Sequence, residues 1–170
     1  MKKLFVLASL LSVAPAVYSA ASESAVPIDA KAAFDRLRSL VGTWEARPET
    51  ARIRVTYELI GGGSALVERA TAENMSPMET VYHLDGSRLI LTHYCMLGNQ
   101  PRMQARTFNQ ATGELKFEFL DVTNLAGPGA AHMHNVTFRF VDADHLASQW
   151  QLFENGRLES TESFQLTRVR

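Results

Sequence analysis

The segment LTHYCMLGNQPRM, residues 91–103, gathers several side chains that can bind a ligand or a metal ion. Its first residues alternate as in a β-strand, whereas its Gly, Asn and Pro are typical of a loop. Imidazole, amide and guanidinium groups form hydrogen bonds, and imidazole and thiolate also coordinate metals. The candidate ligand-binding residues of this segment are His93, Cys95, Asn99, Gln100 and Arg102.

His132 and His134 form a second group, separated by one residue. On a strand they would point to the same face, about 6.6 Å apart, which is close enough to share a transition-metal ion. His93 is the candidate third ligand, and Cys95 is the alternative. Soft thiolate and thioether ligands favour copper(I), whereas imidazole suits zinc or copper. A metal site at His132, His134 and His93 is therefore one hypothesis.

A hydrolase- or isomerase-like enzyme is a second hypothesis, with His93 or His132 as general base and Glu68 or Glu162 as a carboxylate inside the fold. The chain contains no Gly-x-Ser-x-Gly elbow, no His-Glu-x-x-His motif and no phosphate-binding loop. Binding is therefore favoured over catalysis. No residue is assigned a catalytic role, and the sequence identifies neither a cofactor nor an oligomeric state.

Residues 1–21 are typical of a secretory signal peptide. Lys2 and Lys3 precede the apolar run LFVLASLLSVAPAV and the small residues SAAS. The run is shorter than the ~20 residues that a membrane-spanning helix needs. We therefore expect cleavage between residues 19 and 22, export to the periplasm or the cell exterior of a bacterium, and no membrane insertion after cleavage.

The remaining chain is expected to form one domain. Without Lys2 and Lys3 it carries 15 basic and 18 acidic side chains, a net charge of −3 that does not favour nucleic-acid binding. Cys95 is the single cysteine, so no intramolecular disulfide can form and the fold must rest on its core. We assign 22–28 to a flexible N-terminal segment and 29–170 to a single calycin-like barrel domain.

Period-two alternation of apolar residues predicts an all-β fold after one helix. Asp29 is the candidate N-cap of a helix near 29–41, and Gly42 is its stop. Short turns make neighbouring strands antiparallel, and closure removes the exposed edges. The prediction is an antiparallel up-and-down β-barrel of about ten strands, with the short N-terminal helix closing one end. The predicted strands are 42–47, 51–60, 64–71, 78–85, 88–96, 103–109, 114–121, 132–141, 145–152 and 158–168.

The residues LVGTWE at 40–45 resemble the helix-then-Gly-x-Trp opening of lipocalins and their calycin relatives, including nitrobindin-like haem barrels. This resemblance implies a calycin-like barrel in which Trp44 packs across the closed end. Nitrobindin-like chains continue with further alternating glycines, whereas this chain continues with Glu45-Ala46-Arg47-Pro48. The stretches TVYHLDG, LTHYCMLGNQPRM, DVTNL, HMH and DADHL are similar to a group of exported bacterial proteins, a likeness that names no reaction.

Strand parity predicts where the candidate residues meet. In an up-and-down barrel the connections alternate between the two ends, and the long loops all follow odd-numbered strands. The helix enters from the end with the tight turns, so the long-loop end is the expected mouth. Strand five reaches this mouth at His93 and Cys95, and strand eight leaves it at His132 and His134. Alternation along each strand predicts that all four side chains point inward.

The favoured hypothesis is therefore binding of a small, mostly hydrophobic molecule at the mouth. Its polar end would contact the histidines, Asn99, Gln100 and Arg102, while aromatic side chains line an apolar cavity. The aromatic residues expected there are Tyr57, Phe117, Phe119, Phe138 and Trp150. A metal ion is the alternative partner.

Overall fold

The computed structural model describes residues 28–46 and 52–170. The predicted signal peptide, most of the predicted 22–28 segment and the ends of two predicted strands at 47 and 51 lie outside these residues. No helix within the two ranges has the length and apolar character needed to cross a bilayer. The elements are α1 (Ala30–Arg38), β1 (Gly42–Ala46), β2 (Ile53–Ile60), β3 (Ala65–Ala72), β4 (Met75–Asp85), β5 (Arg88–Tyr94), β6 (Gln100–Asn109), β7 (Glu114–Thr123), β8 (His132–Phe140), β9 (His145–Glu154) and β10 (Arg157–Val169).

The ten strands form a closed antiparallel barrel in chain order, with β1 paired to β10. The predicted fold class is confirmed. Turn chemistry explains the antiparallel order, as at the β9–β10 turn, where Asn155 and Gly156 both have positive φ, at 51° and 71°. A two-residue turn of this kind matches the twist of the strands that it joins.

Helix α1 closes the end of the barrel that carries the tight turns. Asp29 accepts a hydrogen bond from the Ala32 amide at 2.9 Å, which caps the first turn. Phe34 and Leu37 are buried against the barrel. The indole of Trp44 donates to the Leu40 carbonyl at 2.7 Å, so the helix exit and β1 are tied together at this closed end.

The helix-side half of the barrel is filled by side chains. Tyr82, Phe117 and Phe138 contact one another edge-to-face, with ring centroids 5.9–6.2 Å apart. Trp44 and Leu91 are equally buried. This part of the lumen is a packed core, so any ligand inside the barrel must lie towards the mouth.

Two strands begin three residues earlier than the sequence predicted. β4 starts at Met75 rather than residue 78, and β6 starts at Gln100 rather than residue 103. β6 gains these residues because it pairs with β7 as far as Gln100 opposite Thr123. Gln100 and Arg102 are therefore strand residues and not loop residues.

Candidate functional site

A row of polar side chains crosses the inner face of four neighbouring strands. Tyr57 on β2 is opposite Glu68 on β3, which is opposite Thr80 on β4, which is opposite His93 on β5. Directly opposed residues on antiparallel strands point to the same face. All four side chains are buried, and we call them the polar row.

Glu68 is the acidic member of the polar row and is 8% exposed. Its Oε2 accepts a hydrogen bond from the Tyr82 hydroxyl at 2.7 Å, and the Tyr57 phenol also bonds its carboxyl group. Burial raises the pKa of Glu68, and the two phenols offset this only in part. Burial and the nearby carboxylate in turn hold the pKa of Tyr57 and of Tyr82 well above the usual range. Glu68 therefore stays protonated at higher pH than an exposed glutamate does.

His93 is the member of the polar row nearest the mouth and is 6% exposed. Its Nδ1 forms a hydrogen bond with Thr80 Oγ1 at 2.9 Å, and its ring lies 5.0 Å from the Trp150 ring. Its Nε2 is buried and has no hydrogen-bond partner among residues 28–46 and 52–170. Burial lowers the pKa of His93 to about 4, so the ring is neutral at pH 7. A neutral imidazole with one unused nitrogen is suited to holding one polar atom of a ligand.

The inner face on the mouth side of the polar row is apolar and half-buried. Trp150, which is 7% exposed, forms its floor together with His93. Glu162 lies opposite Trp150 on β10 and is exposed to solvent. We call this region the mouth recess, and its apolar lining consists of Ile53, Ala70, Met78, Met133 and Leu152.

The predicted inward orientation of His132 is wrong. His132 lies opposite Phe153, whereas Met133 lies opposite Leu152, which shares the inner face with Trp150. The register shifts between Met133 and Asn135, so His134 is the extra residue of a β-bulge. The bulge reverses the alternation: Met133 packs against the core and His132 points to the opposite face. The four residues predicted to share one cavity therefore do not do so.

His134 is stacked between two phenylalanine rings, beyond the point where the pairing of β7 with β8 ends. The pairing of these strands ends at Phe117 and Val136. The rings of Phe119 and Phe153 lie 4.5 and 4.1 Å from the His134 ring. Burial, the largest cause, and the nearby His132 lower the pKa of His134, while the hydrogen bond that its Nδ1 donates to Asn135 Oδ1 opposes the shift. Burial therefore favours the neutral ring of His134.

The structure places two of the three predicted metal ligands, His132 and His134, side by side, but it does not form a complete metal site in the part of the chain that it describes. The ring centroids of His132 and His134 are 5.6 Å apart. His93 belongs to the polar row, on a different face from His132. Within the described residues, no group of three His, Cys, Asp or Glu side chains is placed to hold a metal ion.

Cys95 and Asn99 hold the β5–β6 loop at the mouth. The Cys95 amide donates to the Asn99 carbonyl at 3.2 Å, and burial raises the pKa of its thiol. Asn99 is buried and donates through Nδ2 to the Ala131 carbonyl at 2.9 Å, which ties this loop to the β7–β8 connection. Its Oδ1 is buried without a partner in the part of the chain that the structure describes. Both residues therefore support the rim of the mouth.

Gln100 and Arg102 are engaged on β7 and not in the recess. The Gln100 side-chain oxygen accepts from the Thr123 hydroxyl at 2.9 Å. Arg102 forms a two-bond ion pair with Asp121, directly opposite on β7, and both side chains are about half exposed. This pair raises the pKa of Arg102 and lowers that of Asp121. Alternation from the buried Met103 already places Arg102 on the outer face.

A groove of about 590 Å³ lies at the other end of the barrel, between α1 and the β6–β7 turn, and is lined in part by Asp35, Arg36 and Phe108. It is remote from the polar row. We take the mouth recess as the candidate site because buried polar groups border it. His93, Trp150 and Glu68 were predicted as separate candidate residues, and their arrangement on neighbouring strands was not predicted. The available signal was alternation, which places Tyr57, Glu68, Thr80 and His93 on inner faces.

Comparison with known proteins supports the fold and does not assign a family. No protein-family model matches the sequence, and a search of curated proteins finds no significant match. Among solved structures, that of Rv2717c from M. tuberculosis is similar, with a TM-score of 0.54 and 18% identity. The match covers 81% of this chain and 98% of that chain. The likeness supports a shared barrel fold and nothing more specific.

Proposed function

We propose that the protein is an exported binding protein that holds a small, mostly apolar molecule in the mouth recess. The observation that carries this proposal is His93 Nε2, a buried polar atom on a ring that packs against Trp150, without a partner in the described residues. A buried polar atom left unpaired costs about 1–3 kcal/mol. A ligand atom that forms a hydrogen bond with Nε2 would remove this cost. The unpaired nitrogen is therefore consistent with a ligand-binding site.

The recess lining favours an apolar ligand body. Five half-buried apolar side chains surround the opening, and Trp150 forms the floor. Buried apolar area contributes about 25 cal/mol per Å² to binding. The methionines Met78 and Met133 are flexible and adapt to ligands of irregular shape. The packed core below Trp150 limits depth, so the ligand would lie across the recess and not along the barrel axis.

Export is supported by residues 1–21, and cleavage of this leader is directly measurable. We expect protein recovered from the periplasm to begin between residues 19 and 22, because small residues follow the apolar run there. Intact-mass measurement with N-terminal sequencing gives the result. Periplasmic protein that still carries Met1 to Val17 would contradict the leader assignment.

Titration with the neutral fluorescent probe N-phenyl-1-naphthylamine tests the binding site. Wild-type protein should enhance the probe's fluorescence saturably. Ala70→Phe fills the recess with a ring and should weaken probe binding at least tenfold. Arg102→Ala, on the outer face, should leave affinity within about twofold, because exposed ion pairs contribute little. Absence of saturable binding by wild type, or equal affinities of wild type and Ala70→Phe, would contradict the proposal.

A further inference from the structure

The hydrogen bonds of the polar row fix the direction in which its protons point. Tyr82 donates its only hydroxyl proton to Glu68 at 2.7 Å. Thr80 lies two residues before Tyr82 on β4, so the two buried side chains share the inner face, and in their contact the Tyr82 oxygen can only accept. Thr80 therefore gives its proton to Tyr82. Since a hydroxyl has one proton, Thr80 must accept from its other neighbour, His93.

This series of hydrogen bonds, from His93 through Thr80 and Tyr82 to Glu68, determines the tautomer of His93. Thr80 Oγ1 lies 2.9 Å from His93 Nδ1, so Nδ1 carries the proton. A neutral ring has one N–H, and the buried Nε2, on a ring packed against Trp150 at the floor of the recess, therefore carries a lone pair. The low pKa of His93, about 4, agrees with a ring that stays neutral. Nε2 thus needs a hydrogen-bond donor.

The surrounding charges disfavour an anionic ligand head. Glu162 is exposed on the inner face opposite Trp150, and it would repel a carboxylate. Three strand arginines, Arg54, Arg69 and Arg102, form ion pairs with outer-face acidic residues, and Arg157 is exposed at the start of β10. A charged head would also lose hydration beside Trp150 and His93, at a cost that one hydrogen bond does not offset.

We infer that the ligand of the mouth recess is an apolar molecule bearing an uncharged hydrogen-bond donor, such as a hydroxyl group, that binds His93 Nε2. The inference rests on the proposed function and narrows its ligand class. It distinguishes alcohols from ethers and esters, which only accept hydrogen bonds, and from fatty acids, which are ionised at pH 7.

Competition between matched ligands tests this class. 1-Decanol, 1-methoxydecane and decanoate share an alkyl chain and differ in the head. We expect 1-decanol to displace N-phenyl-1-naphthylamine from wild type about fivefold to tenfold more effectively than the other two, as one added hydrogen bond allows. His93→Phe keeps a ring but removes Nε2, so the preference should disappear. His145→Ala, at the tight-turn end, should retain it.

The outcomes separate the inference from the proposed function. Equal displacement by the alcohol and the ether, or stronger displacement by decanoate, overturns the inference and leaves the binding site in place. Absence of probe binding by wild type contradicts the proposed function, and the inference falls with it. A preference that survives in His93→Phe also overturns the inference.

The tautomer can be measured without any ligand. Long-range ¹H–¹⁵N correlation spectra of the imidazoles at pH 7 should show that His93 is protonated at Nδ1 and unprotonated at Nε2. Tyr82→Phe removes the hydroxyl that orients Thr80, and it should shift His93 towards a mixture of tautomers. A merely structural role for Tyr82 would not change the ring protonation. Protonation of His93 at Nε2 in wild type would overturn the inference.

Discussion

Trp44→Ala is expected to lower the free energy of unfolding by about 3–5 kcal/mol, the range for removing a large buried aromatic side chain. Trp44 is 1% exposed and donates to the Leu40 carbonyl at 2.7 Å. It packs edge-to-face on Tyr57 at 6.5 Å, and the Arg168 guanidinium lies over its ring at 4.3 Å. The substitution therefore opens a cavity at the closed end and frees the helix exit. Urea unfolding followed by circular dichroism measures the loss.

Two further variants make this result specific to the Trp44 contacts. Trp44→Phe keeps an aromatic ring but loses the hydrogen bond, so about 1–2 kcal/mol should be lost. Val141→Ala changes a side chain that is 56% exposed and should stay within about 0.5 kcal/mol of wild type. A loss below 1 kcal/mol for Trp44→Ala would show that this end of the barrel does not depend on Trp44.

Acidification is expected to remove about 3 kcal/mol of stability through His93 alone. Its pKa is lowered from 6.5 to about 4 in the folded protein by burial, and each unit corresponds to about 1.36 kcal/mol. Because the folded pKa is depressed, the unfolded chain takes up the proton first. The contribution is present above pH 6.5 and is lost as the pH falls towards 4.

Glu68 acts in the opposite direction over an overlapping range. Its folded pKa is raised, so its contribution is present below pH 4.5 and is lost as the pH rises through the folded value. The comparison must therefore be between variants and not between pH values alone. His93→Gln retains Glu68 and removes the titrating ring, so its stability should fall by about 3 kcal/mol less than that of wild type between pH 7 and pH 4.

Val141→Ala is the control for this pH series. The Val141 side chain is 56% exposed and carries no titratable group, so its replacement should leave the pH dependence of wild type unchanged. Urea unfolding at pH 4, 5, 6 and 7 gives the free energies. Parallel curves for wild type and His93→Gln would contradict a neutral, buried His93.

The barrel was predictable because its strands carry local signals. Alternation in stretches such as IRVTYEL and the positive-φ turn at Asn155-Gly156 determine strand type and direction without distant contacts. Closure follows from joining these strands by short turns. The inward orientation of Trp150 and His93 follows from the same alternation.

The candidate site was only partly predictable because it depends on register. One inserted residue at His134 reverses the alternation of β8, and nothing in the sequence HMHN marks that bulge. Asn99 is held by the Ala131 carbonyl, 32 positions away in the chain, so its role at the rim requires the folded structure. The outward position of Arg102, by contrast, follows from its neighbour Met103 and was available from alternation.

Native mass spectrometry of protein exported with its own leader tests the central claim most directly. Wild-type protein purified from the periplasm should retain one organic molecule, and His93→Phe and Ala70→Phe should carry it at reduced occupancy. Arg102→Ala should match wild type. Retention of a metal ion or haem in place of such a molecule, or equal occupancy in wild type and both recess variants, would contradict a binding site built on the mouth recess and His93.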